Sequence, residues 1–181
     1  ADHLLLRLRG RARLGILALA GVSALEQAIH DRAQRRPAQT SAEHEARVGY
    51  QFSDKALLER ALTHISALSG GATRANSYQR LEFLGDHVLG LVISDMLYRA
   101  FPKANEGELS RRLADLVRKE TCAEVARAMD LGPALKLGNS ESHAGGRLRT
   151  TILADACEAL VGAVFSDGGY PAAEEFVGKF W

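Results

Sequence analysis

Four carboxylates stand in this sequence where apolar helix residues are expected. In RLEFLGDHVLGLVISDMLYRA, Glu82 and Asp86 lie four positions apart among Leu, Phe, Val and Ile; in ILADACEALVGAVF, Asp155 and Glu158 lie three apart among Ala, Leu and Val. Positions three or four apart share one helix face, with Cβ atoms about 5–6 Å apart. Like charges there repel, and burial adds a desolvation cost, so a cation must offset both. An all-oxygen site for a hard divalent ion meets that requirement, as in the carboxylate clamps of phosphoryl-transfer metals. An ion-pair network with Arg80 or another arginine meets it too. Gly162 continues the face of Asp155 and Glu158, and Gly85 and Gly90 interrupt the earlier segment. Each glycine costs roughly 1 kcal/mol of helix propensity, which is tolerated where a second helix must approach closely. In a third acidic segment, NEGELS, Glu106 and Glu108 are candidates for capping the helix that follows.

The elements that must position these groups are helical almost throughout. A short helix and turn is expected in AEHEARVGYQF, and Ser53 is the expected N-cap of DKALLERALTH. A long helix runs from about Tyr78 to Ala100 and is ended by Phe101-Pro102. GELSRRLADLVRKE has apolar residues at helical spacing, and Thr121 is expected to cap a short helix reaching Met129. GPALKLGNSESHAGGRLR reads as a loop. TTILADACEALVGAVFSD is a buried helix, GGY breaks it, and Pro171 starts the next at a first helical position. No run alternates with a period of two, so the expected class is all-α.

Composition narrows the function. The chain has 181 residues, 46% of them hydrophobic and 25% charged, which excludes wholesale disorder. No stretch approaches about 18 consecutive uncharged apolar residues, so no membrane-spanning helix and no membrane partner is expected. Two cysteines 35 positions apart exclude a disulfide framework and a thiolate zinc knuckle; a reducing, cytoplasmic setting is expected. The net charge of +1 conceals an asymmetry. Residues 1–40 hold seven arginines against Asp2, Glu26 and Asp31, whereas residues 41–181 hold more acids than bases. No Met stands at position 1, so a trimmed or processed chain is expected. RGRAR followed by LGILALAGVSAL has the look of a signal peptide's first two regions, and a transit-like presequence or an upstream in-frame extension fits equally. Residues 1–40 are expected to be a dispensable extension and linker closed by Pro37, and residues 41–181 the domain that carries the chemistry.

Four ordered motifs resemble the ribonuclease III family, with its bacterial-type catalytic domain. They are ALTH at 61–64, YQRLEFLGDHVLG at 78–90, FPKANEGELS at 101–110 and GGRLRTTILADACEALVGAVFSDGG at 145–169. The resemblance implies an all-helical, homodimeric endoribonuclease domain. It implies hydrolysis of double-stranded RNA with Mg²⁺, for which Mn²⁺ substitutes, to 5′-phosphate and 3′-hydroxyl ends, with a role in rRNA or mRNA processing. The family's carboxylates carry over to Glu82, Asp86, Asp155 and Glu158. Of these, Glu82, Asp155 and Glu158 would be metal ligands, with Asp86 and Glu158 assigned to catalysis. Glu106 matches a further acidic position that supports metal or water, and Phe83 an aromatic that enters a socket on the partner subunit. Ordinary core packing is the alternative for Phe83.

The chain departs from the family pattern at several positions. The signature's first Glu is Gln79 here, which can still hydrogen-bond RNA but brings no charge. His87 replaces a small residue and, about 100° round the helix from Asp86, is expected to be salt-bridged or RNA-facing rather than catalytic. His64 is read either as a helix-end hydrogen-bonding group or as an RNA contact. The double-stranded-RNA-binding domain that usually follows in bacterial-type members is expected to be absent from this chain. The rival readings are a non-catalytic RNA-binding relative, which would be expected to have lost an acidic ligand, and a purely structural helical dimer, which does not predict the motif order.

Overall fold

The computed structural model describes residues 40–69 and 74–181. The Arg-rich segment expected to be an extension lies, but for Thr40, outside the described residues. Among the described residues the regular elements are helices, and the one β-feature is an isolated bridge between Thr63 and Lys136. The all-α expectation holds.

The α-helices are α1 (Ser41–Val48), α2 (Lys55–Ala61), α3 (Gln79–Ala100), α4 (Glu106–Val117), α5 (Lys119–Ala128), α6 (Asn139–His143) and α7 (Thr150–Phe180). Three of them, α1, α2 and α4, start at side chains that satisfy otherwise unpaired N–H groups. Thr40 and Glu43 form a capping box on α1, and Asn105 and Glu108 form another on α4. Glu108 is therefore the capping acid of its segment. Helix α2 is capped by Asp54, whose carboxylate accepts from the Ala56 N–H, not by Ser53 as expected. Ser53 instead donates its backbone N–H to Asp167, 2.9 Å away. Thr121 does not cap α5 either: the helix begins two residues earlier, and the Thr121 hydroxyl donates to the Asp115 carbonyl at 2.7 Å.

Helices α3 and α7 form the centre. On α3, Leu81, Gly85, Val88, Leu89, Val92, Ile93 and Leu97 are buried at helical spacing. From Ile152 to Val164, α7 is buried on nearly every side, as a helix surrounded by others must be. Gly169 breaks α7 with φ 72° and ψ −167°, and Pro171 follows where its missing N–H costs nothing. Just before that kink, Asp167 accepts from the N–H groups of Ser53 and Asp54 and from the Tyr50 hydroxyl. Burial pushes its carboxyl up, but these hydrogen bonds outweigh burial and hold it below its ordinary value. Between α5 and α7 the expected loop contains α6 and single 3₁₀ turns. Its backbone is gathered by Arg147, whose guanidinium donates to the carbonyls of Gly132, Pro133 and Leu135.

Candidate active site

The closest approach of α3 and α7 occurs at two glycines. A Cβ added to Gly85 would lie 1.8 Å from the Glu158 carbonyl oxygen, and one added to Gly162 would lie 2.3 Å from that of Leu81. Any larger residue forces the helices apart. Gly90 has no such role, contrary to expectation: a Cβ there meets nothing within 4 Å.

This contact brings the two helical carboxylate pairs together. One carboxylate oxygen each from Glu82, Asp155 and Glu158 lies within 4.8 Å of the others. Glu158 is only 7% exposed, whereas Glu82 and Asp155 are half-buried and open towards solvent. Burial, and then the charges of Asp86, Asp155 and Glu82, push the Glu158 carboxyl up to about 7. Glu82 is also raised, first by burial and then by Asp155. Asp86 stands at the edge of the cluster, exposed, its charge felt by both glutamates. Three hard oxygen donors gathered this closely suit a small divalent cation.

The structure places a lysine at this cluster, not the arginine that the sequence suggested. The Lys119 ammonium lies 3.3 Å from Asp155 Oδ1, and its charge also acts on Glu82 and Glu158. Arg80 instead borders a groove with Leu57, Arg60, Gln79 and Phe83. Two further neighbours carry no signal in the sequence. The buried Tyr78 phenol is raised by burial and then by Asp155 and Glu82. The buried Cys122 thiol, pushed up to about 12 by burial and then by Glu158, donates to the Val117 carbonyl oxygen at 3.6 Å.

Other expected residues lie apart from the cluster. Glu106 accepts from the Ser110 hydroxyl at 2.9 Å and borders a groove with Leu91, Tyr98 and Leu113. Within one chain it is not among the three clustered carboxylates. Gln79 is exposed beside Phe83, whose ring is 70% exposed, so the core-packing alternative for Phe83 does not hold in the single chain. His87 Nδ1 pairs with the Phe83 carbonyl at 2.8 Å and lies 3.8 Å from the Asp86 carboxylate. His64 caps the 3₁₀ turn Ile65–Ala67, with Nδ1 accepting from the Ser66 N–H at 3.1 Å. The helix-end reading of His64 is thereby observed for one ring nitrogen.

A family model described as ribonuclease-III-like matches residues 54–181. The protein named Ribonuclease 3 from Rhodopseudomonas palustris is 61% identical over 142 residues, covering 78% of this chain and 52% of that protein. Its namesake from Azorhizobium caulinodans is 64% identical over 137 residues, covering 76% and 58%. The chain thus spans little more than half the length of these relatives. The nuclease domain of ribonuclease III from Campylobacter jejuni, which has a region involved in dimer formation, superposes with a TM-score of 0.70. It is 36% identical, and the match covers 76% of this chain and 92% of that one. Among the described residues no helix is long and apolar enough to cross a membrane.

Proposed function

The chain belongs to the ribonuclease-III-like family, and from that premise we propose that it is the catalytic part of an endoribonuclease that hydrolyses double-stranded RNA. The observation that carries this reading is the meeting of Glu82, Asp155 and Glu158 within 4.8 Å. These are the acidic residues of two motifs some 70 positions apart, joined at a contact that only glycines permit. The expected substrates are structured rRNA and mRNA precursors in the cytoplasm. Residues 41–181 form the catalytic domain, and residues 1–40 a dispensable extension.

The donor set fits Mg²⁺, with Mn²⁺ as a substitute, because all three groups are hard oxygen ligands. Glu82, Asp155 and Glu158 would hold the ion. When bound, it supplies charge neutralisation for the phosphoryl oxygens and lowers the pKa of nearby water. Asp86, exposed at the rim, orients the attacking water and accepts its proton. The bond from water oxygen to phosphorus forms, the bond to the 3′ oxygen breaks, and that oxygen takes a proton from solvent. The products are a 5′-phosphate and a 3′-hydroxyl. Gln79 and His64 supply hydrogen-bonding contacts to the RNA, whose A-form shape rather than sequence is read. Glu106 supports metal or water from beyond the cluster.

Phe83 is the proposed anchor of a homodimer, since burying so exposed a ring on a partner would stabilise association by about 2 kcal/mol. Phe83→Ala should shift the sedimentation of the protein towards the monomer. The activity is tested by incubating the chain with a long perfect RNA duplex, with Mg²⁺ or with EDTA, beside a single strand of the same sequence. Cleavage of the duplex only, and only with metal, is expected. Metal-independent cleavage, or none at all, overturns the reading. Deleting residues 1–40 should leave that cleavage and the dimer in place.

A further inference from the structure

Lys119 opens helix α5, and there its charge gains nothing from its own helix. The N-terminus of a helix carries the positive end of the backbone dipole, so an ammonium in the first turn is opposed by it. The preceding Arg118 offers no side-chain cap that would compensate. What Lys119 does meet is the carboxylate cluster, with Nζ 3.3 Å from Asp155 Oδ1. The same ammonium is the positive charge acting on Glu82 and Glu158. Its side chain is 58% exposed while that of Asp155 is 21% exposed, so the head group reaches in from solvent and can leave again. An ammonium is a compact, strongly hydrated point charge on a flexible stem, suited to reversible occupation of such a place.

Resting on the reading of the cluster as a divalent-metal site, we propose that Lys119 is an internal counter-ion that competes with the metal for Asp155. Without metal it neutralises part of the acidic cluster and holds the helices together there. When a divalent ion arrives, the ammonium must give up the same oxygen. Lys119 therefore sets the metal concentration at which the site fills, and the cluster is never left without a cation.

The test uses the full chain and the metal ions alone. Mn²⁺ binding is measured by electron paramagnetic resonance of the free ion, and Mg²⁺ binding by calorimetry. Lys119→Gln should tighten both by about fivefold, the scale of one partly exposed ion pair. Lys119→Arg keeps the charge and should stay within about twofold of the parent. Lys103→Gln, a charge removed outside the cluster, should change nothing. In EDTA the Lys119→Gln protein should melt lower than the parent, and added Mg²⁺ should raise its midpoint by more. Unchanged or weaker metal binding in Lys119→Gln overturns the proposal while leaving the metal site standing. An equal gain from Lys103→Gln overturns it as well, by reducing the effect to net charge. If the parent chain binds neither ion, the metal site and the counter-ion fall together.

Discussion

The backbone of Glu158 and the α-carbon of Gly85 are in contact: a methyl group on Gly85 would lie 1.8 Å from the Glu158 carbonyl oxygen. The depth at which the buried carboxylate sits is thus set by the absence of a side chain on the opposing helix. Gly85→Ala should push α3 from α7 and cost about 1–3 kcal/mol of stability, as overpacking in a dense core does. It should also spread the three carboxylates. Thermal melting would show the first effect and weaker Mn²⁺ binding the second; a protein with parent-like values for both would contradict this packing.

Glu158→Gln keeps the volume of the side chain and removes an anionic donor. Cleavage should be lost while the helical circular dichroism and the dimer persist. Asp155→Asn should behave alike, with partial rescue of either by high Mn²⁺. Single-turnover cleavage in Mg²⁺ is the measurement, and a near-parent rate in either variant would remove that residue from the site.

The raised pKa of Glu158 makes stability and metal binding respond to pH in opposite directions. Its folded value of about 7 lies above the ordinary 4.5, so the folded protein holds this proton more tightly than the unfolded chain does. The resulting stability is fully present below about 4.5 and is lost as pH rises through about 7. In EDTA the unfolding midpoint should carry a component that falls across that window, and Glu158→Gln should remove it. Metal requires the ionised carboxylate, so divalent affinity should climb with pH to about 7 and then level off.

Duplex RNA should bind this chain weakly and through metal. Residues 41–181 hold more acids than bases, and the acidic cluster repels phosphate until a cation is present. Affinity should therefore need divalent ion and fall steeply between about 50 and 200 mM salt. Filter binding across that range is the check. Tight binding in EDTA at moderate salt would point to a basic surface, with the arginines of residues 1–40 the first to remove.

The helices and the four carboxylates were legible because their spacing is local. Glu82 and Asp86, or Asp155 and Glu158, declare a shared face within a single turn, and Gly85 and Gly162 announce a close approach. What could not be read depends on partners far along the chain. Lys119 looks like an ordinary surface residue until α5 sets it against Asp155, 36 positions away. Ser53 and Asp54 are equally good caps in isolation. The choice falls to Asp54, whose carboxylate accepts from Ala56 while the Ser53 N–H is engaged by Asp167, 114 positions away. Gly90 shows the converse: a small residue on a helix announces close packing only if a neighbour is there to use it.

The clasp formed by Asp167 on the segment around Tyr50 to Asp54 has a consequence for the time course of synthesis. Its hydrogen bonds close loops of more than 110 residues, and the central pairing of α3 with α7 closes one of about 70. The secondary structure is local, but the contacts that stabilise it join the beginning of the domain to its end. Helices α1 to α5 leave the ribosome before their main packing partner exists, with the apolar face of α3 uncovered. The decisive step in folding of this domain accordingly waits for α7, and is slower than its helical content suggests, because long-range loop closure precedes the reward of packing.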